Sequence, residues 1–112
     1  MKTFDIKSSM PIVSVAMSIF ENVLKITRKS EKVIKIIHGY GSSGKGGAIK
    51  TRLHQLLETK QAKGEIKAFI PGEAIYTPMG FDSDIALYKH LLVGDSDFNK
   101  GNDGITYVIF KP

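Results

Sequence analysis

A chain of 112 residues fits one domain and leaves no room for a second. Its hydrophobic fraction of 42% is ordinary for a folded protein, so a core needs no staple. It has no cysteine, which excludes disulfides, cysteine-ligated zinc or iron–sulfur centres, and thiol catalysis. No apolar run approaches the roughly 18 residues of a membrane span. An acid, Asp5, stands where a secretory apolar segment would begin, so the expectation is a cytoplasmic protein without signal peptide or membrane contact.

The formal charge is +5, unevenly spread. Residues 1–24 hold two bases against two acids, residues 25–67 eleven against three, and residues 68–112 three against six. A basic block of this kind fits a polyanion partner, or a solvated lysine-rich surface.

In chain order, Thr3 to Lys7 alternates and predicts a first strand, with Phe4 and Ile6 on one face. Ser8-Ser9-Met10-Pro11 reads as a helix start, a serine capping free N–H groups and Pro11 needing none. From Ile12 to Thr27 the apolar residues recur at helical spacing. Lys32 to His38 is nearly continuous β-branched hydrophobe, as in an interior strand. Gly39 to Gly47 reads as a loop, Ala48 to Thr59 as a second helix, Lys60 to Gly64 as a turn, and Glu65 to Ile70 as a third strand. Asp82-Ser83-Asp84 predicts a cap for a short third helix packed through Leu87 and Leu91. Ser96 to Asp103 reads as a mobile loop and Ile105 to Phe110 as a closing strand. The order β-α-β-α-β-(α)-β predicts an α/β domain, two-layered or sandwiched, with a four-stranded mixed sheet whose first crossovers join parallel strands.

The segment His38-Gly39-Tyr40-Gly41-Ser42-Ser43-Gly44-Lys45-Gly46-Gly47 carries the chemistry. Gly39, Gly44 and Lys45 have P-loop spacing, but Gly46 stands where a magnesium-binding Ser or Thr belongs. Gly39, Gly41 and Gly44 fit a dinucleotide fingerprint, but the nearest acid, Glu58, falls in a helix instead of at the end of the next strand. His38-Gly39-Tyr40-Gly41 matches a third pattern, His-Gly-x-Gly closing a strand. With Phe4-Asp5-Ile6-Lys7 in the first strand and Gly104-Ile105-Thr106 opening the last, it resembles the small MutS-related (Smr) domain family over residues 3–70 and 104–110.

That resemblance implies one Smr-like domain over residues 1–112, with an acidic insertion at about 71–103. It further implies binding of DNA or RNA, with cleavage in some members, and assigns Asp5 and His38 to binding or catalysis. Apart from the family, glycines admit backbone N–H groups close to an anion, and a following helix aims its positive end at the same place. On this reading Lys7, Gly39, Tyr40, Gly41, Ser42, Ser43, Gly44, Lys45, Lys50 and Arg52 hold phosphates. His54 and His90 look incidental. No cofactor is expected, and a divalent metal only if the chain cuts.

Two departures qualify the resemblance. Lys7 replaces the family's first-strand histidine, and a solvated lysine is a poor proton shuttle at neutral pH. The connector from Pro71 to Asp103 is long and acidic, suited to an added helix, a covered sheet edge or an oligomer contact. The leading expectation is a binding domain with weak or lost nuclease activity; the alternatives are an active DNA- or RNA-nicking endonuclease and a protein-interaction domain that needs no nucleic acid.

Overall fold

The computed structural model describes residues 1–8, 12–39, 45–75 and 80–111. Strands β1 (Lys2–Asp5), β2 (Val33–Ile37), β3 (Ala68–Pro71) and β4 (Ile105–Ile109) form one mixed sheet in the order β1-β2-β4-β3. β1 and β2 are adjacent and parallel; β4 runs antiparallel to both β2 and β3. β2 and β3 therefore point the same way with β4 inserted between them.

Alternation along β2 and β4 divides the core. Ile34, Ile36, Phe69 and Val108 face helices α1 (Val13–Thr27) and α2 (Lys45–Ala62), where Phe20, Leu53 and Leu57 meet them. Val33, Ile70, Tyr107 and Ile109 face the other way and are covered by Leu92, with Ile85, Tyr88 and Leu91 packed behind it. The connector thus supplies a second layer, and the domain is sandwiched. This explains why β2 reads as continuous hydrophobe.

Several boundaries move. Helix α1 starts at Val13, capped by Ile12 with no side-chain hydrogen bond. Of the expected cap, Ser9, Met10 and Pro11 lie outside the described residues, and the Ser8 N–H donates backwards to Asp5. Ile12, just ahead of α1, and Ile19, on α1 outside its core stripe, stand exposed. Helix α2 begins three residues early and continues through the expected turn to Ala62, its last turns held by Lys60, which pairs with Glu21 on α1. β3 is shorter than expected, beginning at Ala68.

The connector differs most. A 3-10 turn (Gly72–Ile75) follows β3, and helix α3 (Asp82–Tyr88) passes into a second 3-10 turn at Lys89–Leu91. Asp82 is the first helical residue, and Phe81 precedes it without a side-chain cap. Leu87 points outward, 62% exposed, and the anchor is Leu92, which is fully buried. Residues 96–103 are turns tied to the sheet, not a free loop: Asp97 bonds Lys35, and Asn102 bonds both Asp97 and the Gly104 N–H.

Candidate functional site

The C-terminal end of β2 meets the first half of α2 and the start of β4. Gly39 leaves the strand at φ +83°, a left-handed conformation that favours glycine. The His38 and Gly39 N–H groups both donate to the Gly104 carbonyl, at 2.9 and 3.0 Å, which locks this corner against the end of the connector.

His38 is fully buried on the helix-covered face. Its Nδ1 lies 3.0 Å from the Gly39 carbonyl, and its Nε2 lies 2.9 Å from Thr106 Oγ1. The same hydroxyl lies 2.9 Å from His54 Nε2. A carbonyl can only accept, so Nδ1 of His38 carries the proton and Nε2 of the neutral ring accepts from Thr106. The single hydroxyl proton is then used, and Oγ1 accepts from the His54 Nε2–H. The result is a one-way chain of donors from His54 through Thr106 to His38 and the Gly39 carbonyl. The two rings stand edge to face with centroids 5.9 Å apart, and His54 also leans on Phe69.

Both imidazoles are held neutral. Burial lowers the pKa of His38, only partly offset by the Gly39 acceptor. Burial, then the neighbouring His38 and the Lys50 charge, push His54 down to about 4. The hydrogen-bond chain acts in the same direction, since a proton added to His38 would leave the Thr106 hydroxyl with no acceptor in it.

Lys50, one helical turn before His54, is directed inward. Its ammonium pairs with Glu73 of the first 3-10 turn and donates to the Asp103 carbonyl at 3.0 Å. Arg52 lies elsewhere, exposed along the groove between α1 and α2 with Met17, Lys25 and Leu56.

Asp5 and Lys7 are on the other side of the sheet. Phe4 and Ile6 enter the helix-covered core, and alternation turns Asp5 away from it. The Asp5 carboxylate accepts from the Lys7 and Ser8 N–H groups at 2.8 and 2.9 Å, closing a turn. Slight burial raises its pKa, but those two donors and the Lys7 charge outweigh this and hold it below the usual value. Lys7 borders a shallow recess with Ile37, Gly39, Asp97 and Gly104. The structure therefore brings His38 together with Thr106, His54, Lys50 and Glu73, and leaves Asp5 and Lys7 across the sheet from the His38 ring. Tyr40, Gly41, Ser42, Ser43 and Gly44 lie outside the described residues, and Lys45 opens α2.

His54 is not incidental, which corrects the sequence reading. It lies one residue after buried Leu53 and three before buried Leu57, so the apolar stripe of α2 places it on the inner side. Thr106 stands in the Gly104-Ile105-Thr106 element of the sequence, but its place between the two histidines leaves no local sign, because these partners are 68 and 52 residues away. Among the described residues no group of three His, Cys, Asp or Glu side chains is arranged to hold a metal ion, and no helix is long and apolar enough to cross a membrane. Comparison with protein families, curated proteins and solved structures finds no match to this chain.

Proposed function

We propose that the chain is a nucleic-acid-binding domain of the Smr type that holds the phosphate backbone at the segment between β2 and α2 and cleaves it weakly or not at all. The observation that carries this reading is the junction itself. Two residues past the end of β2, Gly39 takes a left-handed conformation, and a helix of 18 residues begins at Lys45 with no acid in its first turn. Three of the five intervening residues are Gly or Tyr and the other two are serines. A helix N-terminus carries about half a positive charge and free N–H donors, and a nearby phosphate satisfies both. Lys7 borders the same corner through Gly39 and adds a point charge.

The chemistry needed for cutting has less support. Positioned acid–base groups contribute about 10² to 10⁴ in rate. His38 is buried with both nitrogens engaged, and Asp5 serves the turn after β1. Electrophoretic mobility shifts over a salt series, with single-stranded, duplex and branched DNA and with RNA, test the binding. A nicking assay with magnesium or manganese, on wild type and Lys7→His, tests the cleavage. Salt-sensitive binding without wild-type nicking is expected. Strong wild-type nicking overturns the second half of the proposal, and absence of binding to every nucleic acid overturns the first.

A further inference from the structure

The basic block does not converge on the junction between β2 and α2. Parallel β1, β2 and β3 start at the opposite end of the sheet, where α1 and α2 finish and β4 runs out. The strand starts place Lys2, Lys32 and Lys67 there. The end of α1 adds Lys25, Arg28 and Lys29; the end of α2 adds Lys60 and Lys63; Lys111 follows β4. Backbone bonds confirm the juxtaposition, with Phe110 N–H to the Lys32 carbonyl and Lys67 N–H to the Ile109 carbonyl, each 2.8 Å. Only Glu21, Glu31, Glu58 and Glu65 oppose these bases.

Nine of the 16 bases and four of the 11 acids therefore occupy this end, a balance of +5 that equals the formal charge of the whole chain. The other seven bases and seven acids cancel. Helix dipoles do not reverse the asymmetry, since two helix C-termini contribute about half a negative charge each. Pairing sharpens it. Toward the β2–α2 junction Lys50 is tied to Glu73 and Lys7 to Asp5, and mid-strand Lys35 is buried against Asp95 and Asp97. At the opposite end Arg28, Lys29, Lys32, Lys63 and Lys67 are exposed, and no carboxylate among the described residues lies within ion-pair distance of them.

We infer that this end is a separate binding surface for the phosphate backbone of nucleic acid, remote from the glycine-rich junction. The inference rests on the nucleic-acid reading for its ligand and on the charge distribution for its place. Unpaired, exposed cations spread over two helix ends and the starts of β2 and β3 match a line of phosphates, each contact releasing counterions. Arg28 adds a planar fork suited to a phosphate. A bilayer surface fits less well. Interfacial binding calls for aromatic or clustered apolar side chains beside the cations. Among the described residues this end exposes no aromatic side chain, Phe110 is buried, and its exposed large apolar side chains are Ile26 late in α1 and Met1 ahead of β1, one on each element.

The test is fluorescence anisotropy with a labelled duplex and a labelled single strand between low and moderate salt. It compares wild type, the triple variant Arg28→Glu/Lys29→Glu/Lys63→Glu, and Lys7→Ala/Lys45→Ala, with folding checked by circular dichroism. All three substituted positions of the triple variant are exposed, so the fold should persist. The triple variant should bind at least about tenfold more weakly, with a log–log salt slope shallower by about 2 to 3, as expected for three lost phosphate contacts. Wild-type binding that survives in the triple variant but falls in Lys7→Ala/Lys45→Ala overturns this inference and leaves the proposed function standing. No wild-type binding to either probe overturns the nucleic-acid reading itself. Charge-dependent capture of anionic phosphatidylserine vesicles without nucleic-acid binding replaces the ligand with a membrane and also overturns the inference.

Discussion

Lys35 Nζ lies 2.9 Å from Oδ2 and 3.0 Å from Oδ1 of Asp95, joining the middle of an interior strand to a connector residue 60 positions later. Asp97 takes a further bond from the same ammonium at 2.7 Å, and the Tyr107 hydroxyl donates to Asp95 at 2.9 Å. The Lys35 side chain is only 7% exposed, so its charge depends on these partners. Burial works against that charge, but the Asp97 and Asp95 carboxylates outweigh it and raise the lysine pKa. The cluster pins the connector over the second face of the sheet and uses two of its acids internally.

Removing the carboxylates should therefore destabilise the protein far more than the loss of two surface charges would. Asp95→Ala/Asp97→Ala leaves a buried ammonium without its partners and should cost about 3 to 5 kcal/mol. Adding Lys35→Met to that variant should recover much of the loss, because an apolar side chain of similar length needs no partner. Urea unfolding followed by circular dichroism measures both. A loss below about 1 kcal/mol, or no recovery with methionine, would show that the cluster does not hold the connector.

Gly72 supports the same layer from the other side. A Cβ there would stand 2.1 Å from the Asn102 carbonyl oxygen and 2.6 Å from Ile105 Cγ1. The first neighbour is backbone and the second is core, so neither can yield cheaply. Gly72→Ala should displace residues 102–105 and cost about 1 to 3 kcal/mol, the usual range for overpacking. Gly94→Ala meets nothing within 4 Å and should stay within about 0.5 kcal/mol of wild type. Equal thermal midpoints for the two variants would refute the close approach.

The sheet was legible because its strands announce themselves locally. Val33 to Ile37 is a β-branched run, and Ile105 to Ile109 repeats the pattern after a glycine. The strand order was not, since nothing local says that β4 inserts between β2 and β3. Leu87 was misassigned to the core because a seven-residue helix gives too few turns to fix its inward face, and Leu92, just beyond the following 3-10 turn, provides the anchor instead. Lys35 read as one more cation of the basic block because a partner 60 residues away leaves no trace at its own position. The candidate site divides the same way. His38 and Gly39 were visible as a strand end, whereas the Thr106 bridge to His54 depends on the register of β4 against β2. The charge asymmetry was visible as a number, but its location at the end opposite the glycines needed the strand directions.

The His38–Thr106–His54 chain makes stability depend on pH in a direction that follows from the two imidazoles. His54 ordinarily titrates at 6.5 and is depressed to about 4 in the folded protein; His38 is shifted the same way. Between those values the unfolded chain binds protons that the native state refuses, so stability rises with pH. It is fully present above about pH 6.5 and is lost as the pH falls toward 4. For His54 alone that interval corresponds to on the order of 3 kcal/mol. Asp5 and Asp97, both depressed from 3.8, add loss of the same sign only at still lower pH, so the two contributions separate. Urea midpoints in the wild type should be nearly level between pH 7.5 and 6.5 and decline through pH 5.5 and 4.5. His54→Gln keeps a donor for the Thr106 oxygen but cannot titrate, and should flatten part of that decline. Imidazole NMR should place the His54 titration near pH 4. A wild type as stable at pH 5 as at pH 7.5, or a His54→Gln variant with the unaltered slope, would show that the pair is not held neutral.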